Sequence, residues 1–166
     1  MTAAGSRDDG DGPPFTAEQL ERFRTIGLAL DASGRLWHEG QEVAHPRLRQ
    51  ALLRWLDVRA DGRDIVRLDD VRYAYIDVAD AHLRVTAARW RGEDLELSLD
   101  DGATERLDPA TLGVGDDDGL RCRVRGGTLR ARFTSAAQQV ALERVEEVDG
   151  ALALRVGGAT WPLAAA

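Results

Sequence analysis

A segment that occurs twice constrains the fold of this chain more than any other feature. Residues 83–107 align with residues 140–163, with a single one-residue gap near the glycine that follows the central run of leucines. The matched apolar positions are Leu83 with Val140, Val85 with Leu142, Leu95 with Leu152, Leu97 with Leu154, and Leu99 with Val156. A repeat of this length is typical of a duplicated structural unit, because each copy must bury its apolar face against a neighbour. The sequence therefore predicts two lobes, residues 15–107 and residues 108–166.

The spacing of apolar residues predicts that both lobes consist mostly of β-strands. From Ile65 onward, apolar residues alternate with polar ones, and short polar turns separate the alternating runs. The predicted strands are Leu28–Leu30, Leu36–Glu39, Ile65–Leu68, Val71–Val78, Leu83–Trp90, Leu95–Leu99, Leu120–Arg125, Leu129–Phe133, Val140–Val148 and Leu152–Val156. We therefore expect an α+β fold of mostly antiparallel strands, built from two tandem repeated β motifs.

Two helices accompany the strands. A short N-terminal helix is predicted after Thr16, and a second helix is predicted from Pro46 to about residue 57, with Leu48, Leu52 and Trp55 on one face. Residues 1–14 are rich in Gly, Pro and Asp and predict a disordered tail. The composition of residues 135–148 also permits a helix capped by Thr134 or Ser135, but alignment with the first repeat favours a strand there.

Composition excludes several classes of function. The net charge of -7 argues against a nucleic-acid or anionic membrane surface, since both attract a basic excess. All 22 basic residues are arginine, so lysine chemistry is excluded. The N-terminal residues lack the pattern of a secretory signal, and the one cysteine, Cys122, cannot form an internal disulfide. These features predict a cytoplasmic protein.

Arginines around Gly126 and Gly127 form the most informative local pattern. If these glycines make a two-residue hairpin turn, Arg123 faces Arg130 and Arg121 faces Arg132, with apolar residues on the opposite face. Facing like charges repel, so an acidic group should cover them. That group is either internal (Glu143, Glu146, Glu147 or the Asp116–Asp118 loop) or a bound carboxylate or phosphate. Internal pairing is the commoner outcome for such a charged face.

Other candidates for chemistry are sparse. Trp37 and His38 place an aromatic ring and an imidazole next to each other and join the arginines as candidate ligand-binding residues. The three histidines and the one cysteine do not have the spacing of a zinc site, and no catalytic or cofactor-binding motif is present. The sequence therefore predicts no metal, no cofactor and no enzymatic activity.

Several short motifs occur in an order that resembles a known bacterial family, the one catalogued as domain of unknown function 1285. The motifs are Gly34–Gly40, the helix that begins at Pro46, Asp61-Gly62, Val78–Leu83, Val124–Leu129 and Trp161–Leu163. The resemblance covers about residues 28–163, although residues 68–71 and 98–102 depart from the family pattern. It implies an α+β fold of repeated β motifs in two lobes, with a role in ligand binding and signal transduction.

The repeat, the facing arginines and the resemblance together lead to one functional hypothesis. It is a cytoplasmic module that binds or senses a small anionic ligand between the lobes. The alternative is a protein-interaction or assembly module, in which an exposed strand edge or a tryptophan-bearing face contacts a partner.

Overall fold

The computed structural model describes residues 17–166, and the predicted tail over residues 1–14 lies outside this range. The helices are α1 (Ala17–Arg24), α2 (Pro46–Arg54) and α3 (Ser135–Leu142), with a 3-10 turn at Pro109–Thr111. The strands are β1 (Leu28–Leu30), β2 (Leu36–His38), β3 (Gln41–Glu42), β4 (Leu56–Val58), β5 (Asp64–Arg67), β6 (Tyr73–Val78), β7 (Leu83–Arg91), β8 (Asp94–Leu99), β9 (Thr104–Arg106), β10 (Gly113–Val114), β11 (Leu120–Val124), β12 (Leu129–Phe133), β13 (Val145–Val148), β14 (Ala151–Val156), β15 (Ala159–Pro162) and β16 (Ala164–Ala165). The predicted α+β class, dominated by antiparallel strands, is confirmed.

The first half of the chain forms a six-stranded sheet in the order β3-β2-β1-β6-β5-β4. Its pairings are antiparallel except for β1 with β6, which are parallel and place Leu28 opposite Ile76. The β1–β2 turn is closed by Asp31, whose carboxylate accepts hydrogen bonds from the N–H groups of Ser33 and Arg35. The predicted hairpin of residues 28–39 is therefore confirmed.

A seven-stranded sheet, ordered β16-β10-β11-β12-β7-β8-β9, contains strands from both predicted lobes. The parallel pairing of β12 with β7 aligns Ala131 with Leu83 and joins strands that come before and after residue 107. Apolar residues of this sheet and of the six-stranded sheet belong to one buried cluster. The predicted boundary at residues 107 and 108 therefore does not separate two sheets or two cores.

Residues 135–148 correct one sequence prediction. They form α3 followed by β13, so the strand predicted for Val140–Val148 is wrong at its start and right from Val145 onward. The hydroxyl of Thr134 accepts a hydrogen bond from the N–H of Ala137 at 3.3 Å and thereby caps the helix. Ala137 and Ala141 are fully buried, and their small side chains let α3 pack closely on β7.

The repeated segments both contain a three-stranded antiparallel meander, β7-β8-β9 in the first and β13-β14-β15 in the second. The aligned leucines lie in β8 and β14. Upstream of the meanders the segments differ, because Leu83 and Val85 begin β7 whereas Val140 and Leu142 lie in α3. Origin of both units from one duplicated motif stays a prediction.

Helix α2 ends three residues before the predicted limit. The reason is that Leu56 and Asp57 pair with Val66 and Ile65 in the β4–β5 ladder. No helix within residues 17–166 combines the length and the apolarity that a membrane span requires.

Arg125, in the β11–β12 turn, holds the C-terminal end of α2. Its guanidinium donates to the carbonyl oxygens of Leu53 at 3.1 Å, Arg54 at 3.1 Å and Leu56 at 2.9 Å. It also forms an ion pair with Asp101, which is 1% exposed. Leu53 and Arg54 are the last two residues of α2 and Leu56 begins β4, so one arginine both caps the helix and neutralises a buried carboxylate.

Candidate functional site

A groove of about 690 Å³ lies beside β11 and β12 and is the best candidate for a binding site. Its charged lining consists of Arg121, Arg123 and Arg130 together with Asp80, Asp116 and Asp117. The strands supply the arginines, and two loops supply the carboxylates. The groove is therefore highly charged but close to balanced in charge.

The geometry of the arginines follows from the hairpin turn. Gly126 and Gly127 adopt positive φ angles of 65° and 90°, which place the chain reversal where the glycine pair predicts it. As predicted, Arg121 pairs with Arg132 and Arg123 pairs with Arg130. The residues between them are buried on the opposite face, namely Cys122, Val124, Leu129 and Ala131.

Asp80 is the main counter-ion of the arginines. Its carboxylate forms ion pairs with Arg121, with Arg132 at 3.0 Å and with Arg84 at 3.8 Å. Burial opposes ionisation of Asp80, but hydrogen bonds and charge from Arg132 and Arg121 outweigh it and lower the pKa of this carboxyl group. One carboxylate therefore serves arginines on three neighbouring strands, β11, β12 and β7.

Asp117 is a second counter-ion for these arginines. It pairs with Arg132 and, at 3.4 Å, with Arg121. The prediction that the Asp116–Asp118 loop supplies negative charge is thus confirmed, through Asp117. The predicted glutamates are wrong as partners, because Glu143 and Glu146 line a different groove and Glu147 lies in β13 of the three-stranded sheet.

Arg123 and Arg130 differ from Arg121 and Arg132 in how they are paired. The Nε of Arg130 donates to the carbonyl oxygen of Asp80 at 3.0 Å, and its Nη2 is 3.9 Å from the carboxylate of Asp64. Arg123 is exposed, and within residues 17–166 its guanidinium forms no hydrogen bond or ion pair. Its main-chain N–H donates to the hydroxyl of Thr111 at 3.0 Å. Arg123 therefore adds to the groove a positive charge that forms no ion pair with a side chain of residues 17–166.

A buried imidazole lies behind the arginines. The side chain of His82 is fully buried, its Nε2 is 2.7 Å from Asp64 Oδ1, and its Nδ1 accepts the N–H of Arg130 at 3.0 Å. Because Nδ1 accepts, Nε2 carries the proton and donates to Asp64. Burial lowers the pKa of His82 more than Asp64 raises it. With Nδ1 occupied by a main-chain donor, His82 holds the loop against β12 and is not available as a general base.

Comparison with solved structures assigns this arrangement to a known fold. A DUF1285 family protein from Silicibacter pomeroyi DSS-3 superimposes with a TM-score of 0.70 and 18% identity, over 84% of this chain and 80% of that chain. A second DUF1285 family protein, from Shewanella baltica OS155, superimposes with a TM-score of 0.56 and 17% identity, over 68% of this chain and 87% of that chain. The chain has the DUF1285 fold. No family model and no curated protein matches the sequence.

Two predicted ligand-binding residues lie elsewhere in the DUF1285 fold. Trp37 and His38 are in β2 of the six-stranded sheet, and neither lines the groove. The indole N–H of Trp37 donates to Asp31 at 2.9 Å, which makes it part of the β1–β2 turn. The structure therefore does not bring these two residues together with the arginines.

Asp80 in the groove, and His82 and Asp64 behind the arginines, are not predicted by the sequence pattern. Asp80 and His82 lie in the Val78–Leu83 segment that carries part of the resemblance to the DUF1285 family, and this was the one signal available. Asp64 lies at the start of β5 and meets His82 only through the fold. No periodicity or spacing in the sequence indicates that contact.

The stability of the protein should fall as the pH drops below about 6.5, the ordinary pKa of histidine. The folded state lowers the pKa of His82, so below pH 6.5 the unfolded chain binds this proton more readily than the native one. Stabilisation by neutral His82 is complete above pH 6.5 and decreases below it, by at most about 1.4 kcal/mol per pH unit. Urea unfolding at pH 7.5 and pH 5.5 measures this loss, which should be smaller in His82→Gln. An equal loss in both proteins would contradict the assignment.

Cys122 should not react with thiol reagents in the native protein. The side chain is 3% exposed, and burial raises the pKa of its thiol to about 12, which leaves almost no thiolate at neutral pH. We expect labelling by Ellman's reagent only after unfolding in urea. Stoichiometric labelling without urea would show that β11 opens readily.

Proposed function

We propose that the groove binds a small anionic ligand and that the protein acts as a cytoplasmic ligand-binding or sensing module. Arg123 is the observation that carries this proposal. It lines the groove beside Arg130, and its charge has no counter-ion among the described residues. The proposal involves no chemical reaction.

The facing arginines favour an anion over a neutral ligand. Arg123 and Arg130 are directly opposite on neighbouring antiparallel strands, where side chains start about 5 Å apart. Without a bridging group the two guanidinium groups repel, whereas a phosphate or carboxylate can accept hydrogen bonds from both. Asp80 and Asp117 are already paired with Arg121 and Arg132, so neither carboxylate neutralises Arg123.

Thermal unfolding in the presence of a ligand panel tests the proposal. The panel contains inorganic phosphate, nucleoside phosphates, monocarboxylates and dicarboxylates, each compared with sodium chloride at equal ionic strength. A ligand that binds only the native state raises Tm, and at 100 times its Kd it adds about 2.7 kcal/mol of stability. We expect at least one class of anion to raise Tm and Arg123→Ala to abolish the shift.

Arg91→Ala is the matched control, because Arg91 is an exposed arginine in the same sheet, at the β7–β8 turn and outside the groove. Its Tm shift should equal that of the wild type. If no anion raises Tm above the salt control, or if both substitutions act alike, the groove is not an anion site. The alternative is a protein-interaction or assembly module without a small ligand, in which an exposed strand edge or a tryptophan-bearing face contacts a partner.

A further inference from the structure

The groove beside β11 and β12 contains an unpaired carboxylate as well as the unpaired Arg123. Asp116 lines the groove from the β10–β11 loop and is exposed, and within residues 17–166 its side chain forms no hydrogen bond or ion pair. The other two carboxylates of the groove, Asp80 and Asp117, are paired with arginines. The described part of the groove therefore offers a ligand both a positive and a negative group.

Hydrogen bonds close the loop that carries Asp116. The N–H of Gly115 donates to the carbonyl oxygen of Gly119 at 2.9 Å, and the N–H of Asp118 donates to the carbonyl oxygen of Gly115 at 3.0 Å. The side-chain amide of Gln138, in α3, donates to the carbonyl oxygen of Asp118 at 3.0 Å. These bonds set the position of the loop relative to β11.

The loop lies at one end of the arginine row. A Cβ on Gly115, the residue before Asp116, would lie 2.5 Å from Nε of Arg121, so the loop packs against this guanidinium. Arg123 is two residues further along β11, on the same face and about 6.5 Å from Arg121 by the rise of a strand. A ligand that reaches both Asp116 and Arg123 must therefore carry its charges several atoms apart.

A simple anion matches only part of this groove. Three arginines and three carboxylates line it, so an anion held by Arg123 would be repelled by the free carboxylate of Asp116. A ligand that also carries an ammonium group replaces this repulsion with attraction, since an ammonium group donates up to three hydrogen bonds. One unpaired arginine and one unpaired aspartate match one charge of each sign.

We propose that the ligand is an amino carboxylate, with its carboxylate at Arg123 and its ammonium group at Asp116. This inference rests on the proposed function, because it assigns the negative end of the ligand to the same arginine. It adds the class of the ligand and a residue that selects it. An α-amino acid without a charged side chain is a poor fit, since its two charges are too close together.

Four six-carbon probes separate the contributions of the two charges. They are 6-aminohexanoate, which carries both, hexanoate, hexylamine and the dicarboxylate adipate. The Kd of each is obtained from the Tm of the full-length protein over a concentration series at pH 7.5 and constant ionic strength. We expect 6-aminohexanoate to bind about fivefold more tightly than the other three, the upper range for one exposed ion pair. Glycine should bind more weakly than 6-aminohexanoate.

Asp116→Asn should shift two of these ligands in opposite directions. It removes the partner of the ammonium group and should weaken binding of 6-aminohexanoate about three- to fivefold, whereas it removes a repelling charge and should tighten binding of hexanoate. Asp118→Asn is the matched control, because Asp118 is an exposed carboxylate in the same loop and does not line the groove. Its φ of 60° also suits asparagine. It should leave both Kd values unchanged.

The outcomes distinguish failure of this inference from failure of the proposed function. If hexanoate or adipate binds as tightly as 6-aminohexanoate and Arg123→Ala abolishes that binding, the groove holds an anion but not an amino carboxylate. If Asp116→Asn and Asp118→Asn act alike, Asp116 does not select the ligand and the inference is wrong. If neither these probes nor the anion panel raises Tm, both proposals are wrong.

Discussion

Replacing Arg125 with alanine should lower the free energy of unfolding by about 3–5 kcal/mol, the range for breaking a buried ion pair from one side. The substitution leaves the carboxylate of Asp101 buried without its counter-ion. It also removes the donor for the carbonyl oxygens of Leu53, Arg54 and Leu56 at the end of α2. Urea unfolding followed by circular dichroism measures the loss.

Two further variants test whether the unpaired carboxylate of Asp101 causes the loss of stability in Arg125→Ala. Arg106→Ala breaks an ion pair with Asp94 in which the arginine side chain is 73% exposed, and it should cost less than about 1 kcal/mol. Adding Asp101→Asn to Arg125→Ala removes the unpaired charge and should restore part of the stability. A cost for Arg125→Ala as small as that of Arg106→Ala would mean that Asp101 is solvated or finds another partner.

Asp80→Asn should destabilise the protein by about 2–3 kcal/mol, somewhat less than a fully buried pair because the Asp80 side chain is 17% exposed. Asparagine keeps the shape of the side chain but not its charge. Arg121 and Arg132, which face each other across β11 and β12, then keep only Asp117 as a counter-ion, and Arg84, beside Arg132 on β7, loses its pairing with Asp80. The measurement is again urea unfolding at neutral pH.

Asp70→Asn is the control for this second prediction, since Asp70 is an exposed carboxylate in the β5–β6 turn. It should change stability by less than about 0.5 kcal/mol. Arg121→Gln in the Asp80→Asn background should recover stability by removing one of the repelling charges. If the double variant is less stable than Asp80→Asn alone, repulsion among the arginines is not the source of the loss.

The sequence was sufficient to predict the arginine register but not the counter-ion. A glycine pair determines which residues of β11 and β12 face each other, because the turn acts over only a few residues. Asp80 reaches the same arginines through the parallel pairing of β12 with β7, which brings together segments far apart in the sequence. No local pattern encodes such a pairing.

Helix α2 and α3 illustrate the same limit. The apolar period predicted α2 near its observed position, but its polar contacts with Asp100, Asp101 and Arg125 are made to residues distant in sequence, which no local pattern indicates. In α3, the Thr134 cap and helix-forming alanines and glutamines outweighed the alignment with a strand. For residues 135–142, helix propensity and the N-terminal cap therefore predicted the structure better than the alignment of the two repeats did.

The parallel contact between β7 and β12 also has a consequence for biosynthesis. Strand β7 is synthesised before residues 129–133, so the edge of β7 that pairs with β12 has unpaired main-chain donors and acceptors until β12 has been made. A prematurely terminated chain that stops before Leu129 therefore leaves the Leu83–Val85 edge of β7 without its native partner and free to pair with other chains. Folding of this sheet is completed only late in translation, and truncated products are expected to be substrates for chaperones or to aggregate.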